Sequence, residues 1–332
     1  MRDDLISLNH FIFQAARNHL EKEGYKEVIV PRLVRASGAC ENIDTLFEVS
    51  VDKNHTWFNS PGYLAQTGQL YLESLVPKIG KVYCSGPSFR AEPKVDNRHL
   101  IEFHMFEIEL ATDFKGLLKE IEKFITAIAA VAVSAADQKL IDLPTANRER
   151  LSSLPNQFVK ITYDEAIELL KNLGEKIIWG DDISSDREKK LLAYFDQQPF
   201  FITHYPDPMW DHGQIIEVEK FFNMLPDPEK PGRVQSSDLI LPFGGESVGS
   251  AARVHNVEVM VDRLKKSRMF NRLLSKGGSF EDFGWYVKKL KTEGGVPHAG
   301  CGFGMARILQ WVLGETDIRN AVTFPSTRAT II

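Results

Sequence analysis

The sequence predicts an α+β protein in which helices flank one antiparallel sheet and a small helical insertion interrupts the chain. Three observations lead there. Strand-like runs occur in hairpin-type pairs around short polar loops, and the long helical patterns fall before, between and after them. The composition, 43% apolar and 26% charged over 332 residues, is that of an ordinary globular chain and excludes disorder, collagen and coiled coil. No repeat or low-complexity tract is present.

The elements follow in order. Leu5, Leu8, Ile12, Ala16 and Leu20, three and four apart, form one helical face, and Gly24 supplies the left-handed stop. Residues 25–30 alternate as a strand that Pro31 ends. Residues 43–51 and 55–59 are expected to form a hairpin, and 62–76 a helix. Residues 81–90 and 99–111 read as strands around the polar loop 91–98, and 114–139 as a helix. The more polar stretch 142–195, with helices at 162–173 and 184–195, is expected to be an insertion or subdomain with no functional reading. A strand at 200–205 precedes a loop at 206–233 that holds five prolines. Strands at 237–242 and 246–248, a helix to about Ser275, a helix at 279–292, a glycine-rich strand at 297–304 and a last helix at 305–313 complete the chain.

Forty basic against 45 acidic residues leave a net charge of −5, which argues against a protein built mainly to grip a nucleic-acid backbone. Cys40, Cys84 and Cys301 are far apart and outside any CxxC, so neither a disulfide framework nor a zinc knuckle is supported. The longest uncharged apolar stretch, 124–136, is too short for a bilayer, and Asp3 and Asp4 stand where a signal peptide would be basic. The expected location is cytoplasmic, with no membrane partner.

Three fragments could carry chemistry. Arg90 and Glu92, two apart on an expected strand, could fork onto a phosphate and accept from an exocyclic amine, while Phe103 on the returning strand offers a face for a flat base. A surface hairpin with an Arg–Glu pair would look the same. Asp238 and Glu246 could hold Mg²⁺ if neighbouring strands bring them together. Gly300, Gly302 and Gly304 would let a ligand approach the backbone ahead of Arg307, but at a spacing that is neither a dinucleotide fingerprint nor a P-loop.

The order of these fragments is more specific than any one of them. A long helix with a strand and proline, then strand–Phe89-Arg90-Ala91-Glu92–loop–strand, then a glycine-rich strand and helix with Arg307, resembles the three signature motifs of class II aminoacyl-tRNA synthetases. Cys40-Glu41 ahead of Leu46-Phe47, the run Gln66-Thr67-Gly68-Gln69-Leu70-Tyr71-Leu72, Arg98-His99-Leu100, Pro297-His298-Ala299-Gly300 and Phe324-Pro325 resemble the asparaginyl/aspartyl subgroup, closest to asparaginyl, over residues 5–328.

The resemblance implies ATP bent over the sheet. Arg90 would meet the α-phosphate, Glu92 the adenine amine and Phe103 the base. Arg98 and His99 would lie by the outer phosphates with Arg307 on the γ-phosphate, and Asp238 and Glu246 would hold Mg²⁺. Glu41 and Gln69 would take the α-amino group and Arg253 the side-chain oxygen. Leu72 stands where aspartyl enzymes carry lysine, and Glu107 where they carry aspartate; both favour asparagine, although Val254-His255 looks aspartyl-like. Departures occur at Met305-Ala306, where the family's GxER glutamate is lost, at Ser326, and at Phe222-Asn223-Met224-Leu225. An anticodon-binding domain is also expected to be lacking, and the basic cluster Arg263, Lys265, Lys266, Arg268 and Arg272 is expected to be a solvated helix face.

The leading expectation is therefore an ATP-dependent ligase that activates asparagine (or aspartate) as aminoacyl-AMP and passes it to a non-tRNA amine, ammonia or a small molecule. The alternatives are a minimal synthetase that charges tRNA through its acceptor end, and a non-catalytic paralogue. A homodimer through the first helix and strand is also implied.

Overall fold

The structure, a computed structural model, describes residues 3–35, 43–51, 61–218 and 220–330. Helix α1 (Asp3–Lys22) buries all five residues of its predicted apolar stripe and stops at Gly24, whose φ is +86°. That stripe packs within its own chain, in a core it shares with residues 114–137, so it is not the free face that a two-fold interface would use. The next strand, β1 (Lys26–Glu27), is shorter than predicted, and β2 (Leu33–Val34), β3 (Glu48–Val49) and β4 (Gly62–Leu64) form a small separate sheet in the order β2-β4-β3.

Two expectations change here. Strand β3 pairs with β4, whereas residues 55–59, its expected partner, lie outside the described residues. The single helix expected at 62–76 is instead β4 followed by two short helices, α2 (Gln69–Glu73) and α3 (Val76–Ile79). Leu64 spends its N–H on Phe47, the Glu107 carboxylate takes the Gly68 N–H just ahead of α2, and Pro77 sits in the first turn of α3. Ala65 likewise gives its N–H to Arg32 and its carbonyl to Phe89, so Ala65 and Gly68 are taken out of the ladder that one continuous helix would need, and Pro77 bars its extension.

The long hairpin is β5 (Lys81–Phe89) and β6 (Glu102–Leu110), paired over all nine positions. Helix α4 (Phe114–Asp137) follows, capped by Asp113 on the Gly116 N–H. The stretch 142–195 supplies α5 (Thr145–Ser152), β7 (Val159–Thr162), α6 (Tyr163–Asn172) and α7 (Ser185–Tyr194). Then come β8 (Phe200–Thr203), β9 (Ser236–Leu241), β10 (Gly245–Ala252), α8 (Val257–Lys266), α9 (Arg268–Ser275), α10 (Gly284–Glu293), β11 (Ala299–Gly304) and α11 (Met305–Leu313). The helix expected to run to Ser275 is broken at Ser267, whose extended backbone and hydroxyl start α9 afresh.

The eight-stranded sheet has the order β1-β5-β6-β11-β10-β9-β8-β7. Its six central strands are antiparallel, but both edges are parallel: β1 joins β5, and β7 joins β8 with α6 and α7 as the crossover. The 142–195 stretch is therefore sewn into the main sheet and not hung from it. Cores lie on both faces. Alternation along one strand shows this, since Phe201 packs into the α1/α4/α11 cluster while Phe200 and Ile202 face the cluster under α6 and α8–α10.

Arg263 corrects the expected solvated face. It is buried and forks onto both oxygens of Asp207 at 2.9 Å, with a further bond to the Phe222 carbonyl, so it pins the proline-rich loop to α8. Cys84 and Cys301 are free and buried. Among the described residues no helix is long and apolar enough to cross a membrane.

Phe124 on α4 stacks on Phe303 of β11 with ring centroids 3.9 Å apart, both fully buried, and this contact seats the helix on the middle of the sheet. Phe124→Ala is expected to cost about 3–5 kcal/mol, read as a lower urea midpoint with an unchanged slope.

Candidate active site

A trough runs over the middle of the sheet because β11 carries no side chain on that face. Period-two alternation sends Ala299, Cys301 and Phe303 into the core and leaves Gly300, Gly302 and Gly304 facing the other way. A Cβ on Gly302 would fall 2.6 Å from Met105 Cε, and one on Gly300 would fall 2.1 Å from Glu109. The trough has two hollows that share Arg90, Phe103, Met105, Glu246, Gly249 and Gly302. One is lined by Glu92, Arg98, His99 and Arg307, the other by Gln69, Leu72, Glu107, Glu109 and Arg253. With Asp238 in the second hollow, every residue given a substrate, nucleotide or metal role from the sequence lies in this trough except Glu41, which is outside the described residues.

In the first hollow, Arg90 and Glu92 are not on a strand as expected. They follow the last residue of β5, where the Arg90 N–H bonds Ile101, the Ala91 N–H bonds Thr45 and the Glu92 N–H bonds the Arg90 carbonyl. A turn, and not the pleat, brings them to one side. Asp96 takes the N–H groups of Arg98 and His99 and the His99 ring at 2.8 Å, which fixes the loop between β5 and β6. Arg98 Nη2 donates to Glu188 of α7 at 2.9 Å, and Arg307 donates to the Glu246 carbonyl.

Asp238 and Glu246 do meet. On a regular β10, Glu246 and Gly249 would face opposite sides, being three apart. A bulge between Glu246 and Val248 adds one residue, so Glu246 sits opposite Ile240 and Gly249 opposite Asp238, all on the trough side. A Cβ on Gly249 would lie 3.8 Å from both Asp238 Oδ1 and Glu246 Oε1. Burial, with the like charge of Glu246, pushes the Asp238 carboxyl up to about 7 against the pull of Lys220, whose ammonium is 2.7 Å away. Desolvation by the surrounding protein acts to raise Glu246, which keeps an exposed edge in the trough, but Lys220, Arg307, Arg90 and Arg98 outweigh it and hold that carboxyl below its usual range. No group of three or more His, Cys, Asp or Glu among the described residues could hold a metal alone. Two hard carboxylates beside a groove lined by Arg90, Arg98 and Arg307 would suit Mg²⁺ sharing its coordination with the oxygens of an anionic ligand.

In the second hollow, Leu72 is fully buried with Val30, Val76, Val82 and Cys84 and forms an uncharged wall. Glu107 accepts from the Gly68 N–H at 2.9 Å and from the Thr67 hydroxyl, with Arg32 Nη1 at 3.8 Å. Arg253, buried, donates to Glu109 at 2.8 Å and to the Gly300 carbonyl at 3.2 Å, with Glu73 at 3.7 Å. Glu73, with no exposed surface, accepts from Gln69, Asn223 and Tyr286. The departing segment 222–225 lands here: Met224 bridges to Arg253 and lines the hollow. Val254 turns into the core, and His255 does not line the hollow.

Four further residues of the site, Glu73, Glu109, Lys220 and Glu188, were not singled out from the sequence. Glu109 was findable, since it follows Glu107 by two on one strand, and Glu73 follows Gln69 by four on one helix. Lys220 and Glu188 reach the trough from distant segments and left no local pattern.

The model of the family described as tRNA synthetases class II (D, K and N) matches residues 2–328. The chain belongs to the class II tRNA synthetases. Asparagine--tRNA ligase of Pyrococcus abyssi is 35% identical over 329 residues, which is 98% of this chain and 69% of that protein. Asparagine--tRNA ligase of Chloroflexus aurantiacus is 34% identical over 325 residues, 95% of this chain and 67% of its own length. Among solved structures, asparaginyl-tRNA synthetase from Pyrococcus horikoshii complexed with asparaginyl-adenylate superposes with a TM-score of 0.82 at 32% identity, covering 99% of this chain and 69% of that one. The aspartyl tRNA synthetase of Entamoeba histolytica shares the fold, with a TM-score of 0.73 at 24% identity over 99% of this chain and 59% of that one. This synthetase is accordingly a ligase of the kind that forms an aminoacyl-AMP.

Burial, together with the nearby Glu73 charge, pushes Glu109 of the synthetase up to about 7 against the pull of Arg253. The folded protein thus holds a proton there that the unfolded chain has already lost. Stability from this group is full below the ordinary carboxylate range and is lost as pH rises through about 7. The difference in unfolding midpoint between the wild type and Glu109→Gln should therefore shift in favour of the variant between about pH 5.5 and about pH 8; a constant difference across that span would refute the assignment.

Proposed function

We propose that this synthetase activates asparagine with ATP and transfers the asparaginyl group to a tRNA. The observation that carries the reading is the continuous trough: a hollow edged by three arginines opens directly into one whose wall at Leu72 is uncharged and whose far end holds Arg253 and Glu107. The acceptor expected from the sequence, ammonia or another small amine, finds no support among the relatives described above, which are asparagine--tRNA ligases. It gives way to the tRNA alternative.

In this reading Phe103 stacks on the adenine, Glu92 accepts from its amine, and Arg90 neutralises the α-phosphate. Arg98, His99 and Arg307 take the outer phosphates. Gln69, with Glu41, accepts from the α-ammonium of the amino acid, Arg253 donates to the side-chain oxygen, and Glu107 accepts from the side-chain amide. Bound between Asp238 and Glu246, Mg²⁺ would add positive charge beside the phosphates. The asparagine carboxylate, already a nucleophile, forms a bond to the α-phosphorus in line with the departing pyrophosphate, so no general base is needed. A hydroxyl of the tRNA 3′ end then attacks the acyl carbon, AMP leaves with the electron pair, and the hydroxyl proton passes to the departing phosphate. Arg90 and Arg307 are the catalytic residues, because they meet negative charge as it grows. A homodimer and a cytoplasmic location belong to the same proposal; Ile29, fully exposed between β1 and β2, is the apolar surface that a second copy would cover.

Three outcomes test this. Asparagine-dependent exchange between pyrophosphate and ATP is expected without tRNA, and AMP release with stable acyl transfer only when tRNA is added; transfer to ammonia with none to tRNA would restore the amine reading. Removal of either guanidinium, Arg90→Ala or Arg307→Ala, should slow exchange by about 10²–10³-fold. Leu72→Lys should move preference toward aspartate, since the new ammonium would meet a second carboxylate; equal preference for asparagine in the variant would contradict the role given to that wall.

A further inference from the structure

We propose that Glu188, on α7 of the 142–195 stretch, is a positioning residue that holds the Arg98 guanidinium in the nucleotide groove ready for the outer phosphates of ATP. The inference rests on the reading of the trough as an ATP site and adds to it a residue that no motif contains.

Glu188 is 5% exposed and its Oε2 lies 2.9 Å from Arg98 Nη2. The other end of this contact is equally constrained, because the Asp96 carboxylate holds the Arg98 backbone N–H at 2.8 Å. Arg98 is thus fixed at both its main chain and its tip. The third constraint is Gly245, at φ +63°, where the turn enters β10. A Cβ there would fall 2.4 Å from Glu188 Oε2 and 2.5 Å from Arg98 Nη2, so the pair is seated against a backbone that only glycine leaves bare.

The charges explain why such a pair belongs here. Arg90, Arg98 and Arg307 converge on one groove, and before nucleotide arrives they repel one another. A carboxylate on Arg98 relieves that repulsion without filling the groove. A guanidinium carries five donors in a planar fork, so an N–H bond to Glu188 leaves others to face phosphate oxygens. Held this way, Arg98 has already lost the rotamer freedom that a loose arginine would lose on binding. Docking of α7 does not need Glu188, because Leu191 and Leu192, both buried, carry the packing of that helix.

The test compares Glu188→Ala, Glu188→Gln, Arg98→Ala and the double variant in asparagine-dependent pyrophosphate exchange, with ATP binding measured directly. Glu188→Ala is expected to raise the KM for ATP between about tenfold and about a hundredfold, the span of one charge-assisted hydrogen bond. The KM for asparagine should stay constant. Glu188→Gln, which keeps an acceptor at the same place, should recover most of the loss. In the Arg98→Ala background, Glu188→Ala should add no further change, which a merely structural glutamate would not satisfy. An unchanged KM for ATP in both Glu188 variants, or equal losses with and without Arg98, overturns the inference. Should Glu188→Ala not fold, Glu188→Leu, which keeps the bulk and removes the acceptor, takes its place in the same comparison, alone and in the Arg98→Ala background. If the wild type itself binds no ATP, the reading of the trough fails; if it binds ATP and the Glu188 variants match it, only the role of Glu188 fails.

Discussion

The trough exists because one strand at the centre of the sheet is bare on one side. Strand β11 lies between β6 and β10, where side chains from both neighbours would ordinarily meet a third row. Alternation gives Ala299, Cys301 and Phe303 to the core under α4, and the residues between them are all glycine. Any side chain at Gly300 would occupy the space of the Glu109 carboxylate, and any at Gly302 would strike Met105. Remove those vacancies and neither hollow has a floor. The same strand also fixes the depth at which charged groups must sit, since ligand-facing residues of β6 and β10 are brought level with its backbone.

Charges at that depth need partners. An arginine buried in the middle of a sheet is tolerated when carboxylates meet it, and Arg253 has Glu109 and Glu73 within reach. Asp238 has Lys220, and Arg98 has Glu188. The pattern recurs in the trough: Arg253, Asp238 and Arg98, each assigned to substrate or metal, are held by a second group that was assigned to nothing in the sequence. Such pairing keeps the ligand-free protein foldable and fixes the direction of the side chains, so that substrate meets a prepared surface. It also explains the perturbed acids. Asp238 and Glu109 rise because burial outweighs one partner each, whereas Glu246 falls because four cations surround it.

The 142–195 stretch changes meaning in this setting. Its polarity suggested an appendage, yet β7 closes the sheet edge beside β8 and α7 carries a carboxylate to Arg98 at the trough. Burial of Leu191 and Leu192 holds the helix there, so the polar residues on its remaining surface say little about where it packs.

Much of this protein was legible from residue order alone. The apolar stripe of α1, the β5–β6 hairpin, α4 and the glycine-rich β11 with α11 follow from spacing and from the conformational needs of glycine and proline, which are local properties of the chain. So were the site residues that belong to contiguous motifs, from Gln69 through Arg90 and Phe103 to Arg307. The tertiary structure alone decided what depends on contact between distant segments. A bulge at Ser247 shifted the phase of β10 so that Gly249 came opposite Asp238 on the face that Glu246 already shared, which a spacing of eight cannot express. Helix 62–76 became a strand and two short helices because Arg32, Phe89 and Glu107 claimed the hydrogen-bonding groups of Ala65 and Gly68. Arg263 left the solvent because Asp207, fifty-six residues earlier, lay buried opposite it. Periodicity records which way a residue faces within its own element; the partner that face meets is set only when the sheet closes.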